Sequence, residues 1–419
     1  LNQINIYSPL LNNRIKYVFD FIFEPAEDYI LIYHDDLKIF SGLSGLKINY
    51  SKDIIPGSIT ISPSGYFENE ILIPNLTKEI EYVDNDFSFD LVAAIFYLLS
   101  RSEEYNLVQL DEHGRYTHTE SILYKRDLLA LPVVDIWCNT FYELVQQYTG
   151  VKILTKYTLH STIDVDHIYA FKSKSKHISA ASQLKDIVTL NTKRLQDRKL
   201  DRDPFDTYDY LTELHRRKQI PLMFFFLTSE RGEYDRSLSP DHPDFIQLVQ
   251  ELSADHPIGI HPSYHSYLDF SKILSEKTKL ESIIERPIES SRQHYLRLSM
   301  PDTYKHLIKC GITKDYSMGY SNQLGFRAGT SRSYYWYDIQ SDQQTDLQVF
   351  PFQIMDVTLR RLSNNDRNIA FQVSEKVIDN IKAVNGTARL IWHNSSFYDT
   401  EGWGDWDKTY EAILEYAMP

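Results

Sequence analysis

Over its first 150 residues the chain alternates apolar and polar positions in short runs. INIYS, RIKYVFDFIFE, YILIYHD, LKINYS and SITISPSGYF repeat with a period near two and are separated by Pro, Gly and Asn. That pattern predicts short antiparallel strands joined by turns. Two stretches switch to helical spacing. DFSFDLVAAIFYLLSRSEEY opens near Ser88 or Asp90, either of which suits an N-cap, and PVVDIWCNTFYELVQQYTG starts at Pro132 and stops at Gly150. The segment 111–121, DEHGRYTHTES, joins them and carries His113, Arg115 and His118. It reads as a polar loop, with an interdomain or substrate contact as the sharper alternative. The expectation is a small α+β domain over residues 1–152.

After Gly150 the texture changes. TLHSTIDVD, PLMFFFLTS, HPIGIHPS, HYLRLSM, ITKDYSMG, LQVFPFQIMD and ARLIWHNSS read as strands, and the intervals hold helical patterns such as FDTYDYLTELHRRK and HPDFIQLVQELSAD. Near-continuous apolar runs such as LMFFFL suit strands covered on both faces. Strand–helix alternation over 153–419 predicts an α/β fold with a (β/α) barrel, whose usual length is ~250 residues. The locally basic stretch 171–202 reads as a solvated insertion after the first barrel strand; a site for an anionic glycan or nucleotide-sugar is the alternative.

Composition narrows the function. The chain has 419 residues and a net charge of −14, which argues against a nucleic-acid partner. No apolar run reaches the ~18 residues of a membrane span, and no leader is visible at the first residues. Cytoplasmic residence is the default expectation, with a removed leader left open. Cys138 and Cys310 are the only cysteines, too few for a disulfide framework or a cysteine zinc site. The 30 Tyr and 21 Phe are numerous and suit either a Tyr-rich core or a carbohydrate or peptide groove.

Reactive groups of a barrel gather where its strands end. TLHSTIDVD delivers Asp164 and Asp166, two residues apart and so on one face of a strand. Two carboxylates this close call for a nearby cation. HPSYH supplies His261 and His265, four apart, which one helical turn would place on one face toward a single metal ion. A carboxylate from another strand end completes an Asp/His/His set that leaves room for water, as hydrolytic sites require. One aspartate can bind the metal while its neighbour takes a proton. Arg297 in HYLRLSMP can pair with that base, or simply form a surface ion pair. Asp356 in PFQIMD can hold His393 of LIWHNSS protonated, or simply cap the helix that VTLRRL begins.

The set TIDVD, HPSYH, an Arg followed by Pro, PFQIMD and LIWHN, in that order, resembles the motifs of the polysaccharide deacetylase (NodB-homology) family over roughly 155–400. The resemblance implies a distorted (β/α)7-type barrel and metal-dependent removal of acetyl groups from a glycan, N-acetyl before O-acetyl. It implies a divalent cofactor, Zn²⁺ first. By the resemblance Asp164 is the general base, Asp166, His261 and His265 hold the metal, Arg297 orients the base, Asp356 partners the acid, and His393 is the acid. A backbone N–H near Pro262–Tyr264 would receive the oxyanion. Tyr264, Arg327 and Trp392 are carried as substrate-binding candidates, and Arg327 in GFRAG is also a second candidate for the orienting arginine. The sequence departs from the family in having Asp-Val-Asp for the commoner Asp-Asp-Gly, in Pro262 where Ser or Thr is usual, and in a loose third motif. LLSRSEEY and DEHGRY resemble an uncharacterised region attached to such deacetylases in some bacteria. The expected partner is an acetylated glycan. Two rivals stand beside it. One is a relative acting on a small non-glycan amide, told apart by whether Tyr-rich loops such as SRSYYWYD (331–338) floor an open groove or roof a closed pocket. The other is a carbohydrate-binding relic without catalysis, against which Asp164 and His393 weigh.

Overall fold

A computed structural model describes residues 2–26, 28–68, 74, 76–78, 82–83, 86–87, 89–105, 109–150, 152–173, 176–397, 399 and 402–419. Two sheets organise the chain. The first contains β1 (Asn2–Tyr7), β2 (Tyr29–His34), β3 (Leu46–Asn49), β4 (Ile59–Ile61), β5 (Tyr82–Val83) and β6 (Asp86–Phe87), in the order β2-β1-β3-β4-β6-β5. Its ladders are parallel except for β5 against β6, which corrects the antiparallel expectation. The reason lies in RIKYVFDFIFE, which is not a strand but the helix Asn13–Phe23, capped by the Asn12 side chain on the Ile15 N–H. Its buried Ile15, Val18, Phe19 and Ile22 recur at helical spacing, and a helix between two strands allows them to pair in parallel. The helices Leu91–Leu99 and Val133–Thr149 form as their patterns predict. Asp90 caps the first through the Ala93 N–H, whereas Ser88 lies outside the described residues, and Gly150 ends the second in the left-handed region.

The second sheet carries nine strands: β7 (Thr158–Val165), β8 (Leu222–Phe226), β9 (Ile258–Ile260), β10 (Ser290–Ser291), β11 (Lys314–Asp315), β12 (Tyr334–Asp338), β13 (Gln343–Val349), β14 (Ile354–Met355) and β15 (Thr387–His393). They run β12-β13-β11-β10-β9-β8-β7-β15-β14, parallel except for β12 against β13. This is a curled α/β half-barrel, and no ladder among the described residues joins β14 to β12. Three readings need correction. HYLRLSM is not a strand: β10 is Ser290–Ser291, separated from it by Arg292 and Gln293, and His294–Leu296 is a short 3-10 turn. LQVFPFQIMD is split into the end of β13 and β14. SRSYYWYD, read as a Tyr-rich loop over a groove, contains the edge strand β12 with Trp336 and Tyr337 buried.

The two sheets share one apolar core. Tyr337 of β12 packs 5.0 Å from Phe96 and 5.1 Å from Tyr17, ring centre to ring centre. GFRAG is the clasp of this junction. Gly325 and Gly329 both have positive φ, and a Cβ on Gly325 would lie 2.4 Å from the Leu129 carbonyl oxygen. Arg327 between them is buried and donates to Glu104 at 2.9 and 2.6 Å, while Arg101 donates to Glu104 at 2.8 Å. Burial raises the Glu104 pKa, but Arg327 and Arg101 outweigh it and hold the carboxyl below its usual range. Arg327 is therefore a structural cation, not a substrate contact. Arg327→Met, which keeps the stem but strands part of the Glu104 charge, is expected to cost ~3–5 kcal/mol, read as a lower urea midpoint.

Candidate active site

Sheet register assembles the centre. β15 pairs with β7 so that His393 stands opposite Asp164, and β14 pairs with β15 just before Asp356. On the other side, β9 ends at Ile260 and β10 at Ser291, whose residues pair directly, so that His261 and Arg292 emerge side by side. The His294 N–H bonds the Pro262 carbonyl at 3.2 Å and brings a second imidazole to the same place.

Among the described residues, one group offers three ligand atoms all within 4.8 Å of one another: Asp166, His261 and His294. His261 Nε2 lies 3.3 Å from Asp166 Oδ1, and His294 Nε2 lies 3.6 Å from Asp166 Oδ2. Ligand atoms bound at ~2.0–2.2 Å to one tetrahedral ion stand roughly 3.2–3.6 Å apart, so each imidazole lies at ligand spacing from one Asp166 oxygen. Asp166 Oδ1 is buried and has no hydrogen-bond partner, an orphan acceptor of the kind a cation would satisfy. The Nδ1 atoms are held from behind: His261 by the Arg292 carbonyl at 2.6 Å and His294 by Asp235 at 2.8 Å. Such contacts fix which ring nitrogen faces the ion. Burial lowers the His294 pKa, but Asp166 and Asp235 outweigh it and push it up to about 9. The same carboxylates that would anchor a metal here hold a proton without one.

His265 is not part of this group. Residues 261–263 leave β9 extended, and only Tyr264–Ser266 turn as a 3-10 helix, so the fourfold spacing does not stack the imidazoles, and His265 is exposed. His294 takes the place expected for it.

Asp164 is buried, and its Oδ1 accepts from Arg292 Nη1 at 2.6 Å. Arg292 also donates to the Tyr316 carbonyl at 3.1 Å and lies over the Phe225 ring, so its guanidinium is fixed. The arginine that contacts Asp164 is thus Arg292, and neither Arg297 nor Arg327. Arg297 bonds the carbonyls of His113 and Tyr264 at 2.7 and 2.6 Å and lies between the rings of Tyr264 and Tyr267. It clamps the 111–118 loop of the first part of the chain onto the site.

Asp356 and His393 come together. His393 Nδ1 is 2.8 Å from Asp356 Oδ1, and the His393 N–H donates to Oδ2 at 2.9 Å. Asp356 also accepts the Val357 N–H at 2.6 Å, so it begins its helix and holds the histidine at once. Burial disfavours the imidazolium, yet Asp356, with Asp166 and Asp164 behind it, raises the His393 pKa to about 10. Its Nε2 is 3.8 Å from Asp166 Oδ2.

The remaining expectations fall elsewhere. The Ser263 N–H donates to Glu276 and the Tyr264 N–H to Asp235, and Pro262 has none, so none of the three offers a free donor to an oxyanion. The Ser263 hydroxyl also donates to Glu276. Tyr264 is buried beneath Tyr234, with ring centres 4.0 Å apart, and Tyr234 and Tyr295 rather than Tyr264 line the cleft. Trp392 is fully buried against Tyr410. Sequence reasoning missed Arg292, His294 and Asp235. The signal for the first two was their i, i+2 spacing in SSRQH directly after a strand, but a two-residue polar strand leaves no hydrophobic pattern to reveal it.

The family model described as "Family of unknown function (DUF7033)" matches residues 4–150. No curated protein matches the chain. Similar solved structures include a "putative polysaccharide deacetylase" from Mycobacterium smegmatis, 15% identical over 63% of this chain and 85% of its own, TM-score 0.39. The polysaccharide deacetylase Bc1974 from Bacillus cereus is 12% identical over 62% and 85%, TM-score 0.32. A 4-alpha-glucanotransferase from Thermococcus litoralis is 12% identical over 63% and 37%, TM-score 0.37. These are likenesses of fold, and the functional reading rests on the site itself. Among the described residues no helix is long and apolar enough to cross a membrane.

Proposed function

We infer that this site is that of a metal-dependent hydrolase removing acetyl groups from a glycan. The observation that carries the reading is the division of labour around Asp166. Its orphan oxygen and two imidazoles face one point, a carboxylate held by arginine stands on one side, and a histidine held by carboxylate stands on the other. A divalent ion held by Asp166, His261 and His294, Zn²⁺ suiting the N/N/O donors, would supply Lewis acidity toward water and the acyl carbonyl.

The chain's own groups then divide the proton transfers. Asp164 takes a proton from the attacking water, and Arg292 holds its carboxylate in place. His393, kept protonated by Asp356, gives its Nε2 proton to the leaving group. An acid kept charged this far above neutrality suits an amine that must be protonated to depart, which favours N-acetyl over O-acetyl. Tyr234 and Tyr295 line the cleft as flat faces for sugar rings. Tyr295 is held at φ 58, outside the region ordinary for its type, which turns its ring beside His113 and Tyr264.

The test is acetate release from a panel of N- and O-acetylated oligosaccharides by protein supplied with Zn²⁺. Release that a chelator abolishes and Zn²⁺ restores is expected. Chelator-resistant release, or none from any glycan, contradicts the reading.

A further inference from the structure

Two clefts meet at the candidate centre. One, of about 580 Å³, is lined by Asp164, Asp166, His261, His294 and His393, with Arg115, Arg236 and Arg361 at its rim. The other, of about 810 Å³, runs toward the 171–202 insertion and carries Lys185, Arg231 and Arg236. They share Asp166, His167, Arg236, Val357 and His393, so they form one groove passing over the reacting position.

The charge of that groove is opposite to the charge of the protein. The chain carries −14, yet apart from Asp164 and Asp166 the lining acids are Glu233 and Asp186. Asp186 is already engaged, 3.1 Å from Arg194 and 2.7 Å from Arg198. The cations are less committed. Arg361 donates only to the Ser321 carbonyl at 3.0 Å, Arg236 only to the Glu233 carbonyl at 3.2 Å, and Arg231 has no partner among the described residues. Arg115, from the first part of the chain, uses Nε on Asp111 and one amino nitrogen on the Tyr295 carbonyl, leaving the other unengaged. Guanidinium groups with N–H donors left free in a groove are receptors for oxyanions. Arg231, Arg236 and Arg361 have no carboxylate partner among the described residues, and Arg115, though paired with Asp111, keeps one amino nitrogen free.

We propose that the groove binds an acidic glycan, its oxyanion substituents received by Arg115 and Arg361 in one cleft, by Arg231 in the other, and by Arg236 where the two meet. The inference rests on the deacylase reading for the position of the reacting bond and adds the substrate's charge. Partial desolvation and the charge of the neighbouring Arg115 both lower the Arg361 pKa, and an anion between the two guanidiniums would relieve the second. The first part of the chain thereby gains a role: its 111–118 loop, clamped by Arg297, carries Arg115 to the substrate.

Binding can be measured apart from turnover. Calorimetry would compare a galacturonic acid hexasaccharide, a phosphorylated oligomannose and neutral cellohexaose, none acetylated, on the Zn²⁺-supplied protein. At least one acidic probe is expected to bind about tenfold or more tightly than cellohexaose at low salt, with the gap closing as salt rises. The stronger of the two identifies carboxylate or phosphate as the recognised group. Arg361→Gln, and separately the double variant Arg231→Gln/Arg236→Gln, alter exposed side chains. Each is expected to weaken the acidic probe by about tenfold while leaving cellohexaose unchanged. Equal affinity for acidic and neutral probes, or variants without effect on the acidic one, overturns the inference. Acidic binding without acetate release from any acetylated glycan would sink the deacylase reading alone. Release from neutral substrates without acidic preference would sink this inference alone.

Discussion

Asp164→Asn is expected to keep the fold and the metal yet lower kcat by ~10²–10⁴-fold, the range for loss of a general base. The amide fills the same volume and still offers an oxygen to Arg292 Nη1, which lies 2.6 Å from Asp164 Oδ1. It cannot accept a proton from water. Arg292 loses its counter-charge, so a modest fall in stability should accompany the kinetic loss. Turnover and metal content measured on one preparation separate the cases. Loss of metal would mean that Asp164 and Asp166 have exchanged roles. Unchanged turnover would remove Asp164 from the mechanism.

Asp356→Asn acts on the other proton. With Asp356 present, His393 has its pKa raised to about 10, so the imidazolium persists through neutral pH and is lost as pH rises through that value. Removing the carboxylate removes the first of the charges that favour the imidazolium, while the opposing effect of burial stays. The pKa must fall. The alkaline limb of the pH–rate profile is therefore expected to move to lower pH by about one to three units, with metal content unchanged. Amides should suffer more than esters, because an amine must be protonated to leave. A profile that stays in place would reduce Asp356 to the first residue of its helix.

How far the site was legible in the sequence follows from strand length. β7 and β15 span eight and seven residues, and their pattern fixed Asp164, Asp166 and His393 at their ends. Asp356 is legible as the end of the run PFQIMD, of which Ile354–Met355 is strand, and it begins the following helix as well. β10 is two serines with no apolar pattern, so periodicity points instead to the apolar HYLRL and to Arg297, and gives no sign of Arg292 or His294. His265 was chosen by a spacing rule that holds on a helix, whereas the chain at 261–263 is extended. Arg327 drew attention through flanking glycines, whose purpose is close packing between the two parts of the chain. The parallel first sheet was hidden for a similar reason: RIKYVFDFIFE satisfies both periods until its Asn12 cap is weighed. Asp235 had no local signal, since its meaning arises only where it meets His294 and the Tyr264 N–H.

The most direct test of the account is metal content per chain after exhaustive dialysis, compared between His294→Ala and His265→Ala. Wild-type protein supplied with Zn²⁺ should retain about one ion per chain, through three protein ligands at ~2.0–2.2 Å. His294→Ala should lose it, because the Nε2 atom facing Asp166 and its support from Asp235 disappear together. His265→Ala should retain it in full, since that side chain is exposed and outside the cluster. Retention by His294→Ala together with loss by His265→Ala would contradict the site described here.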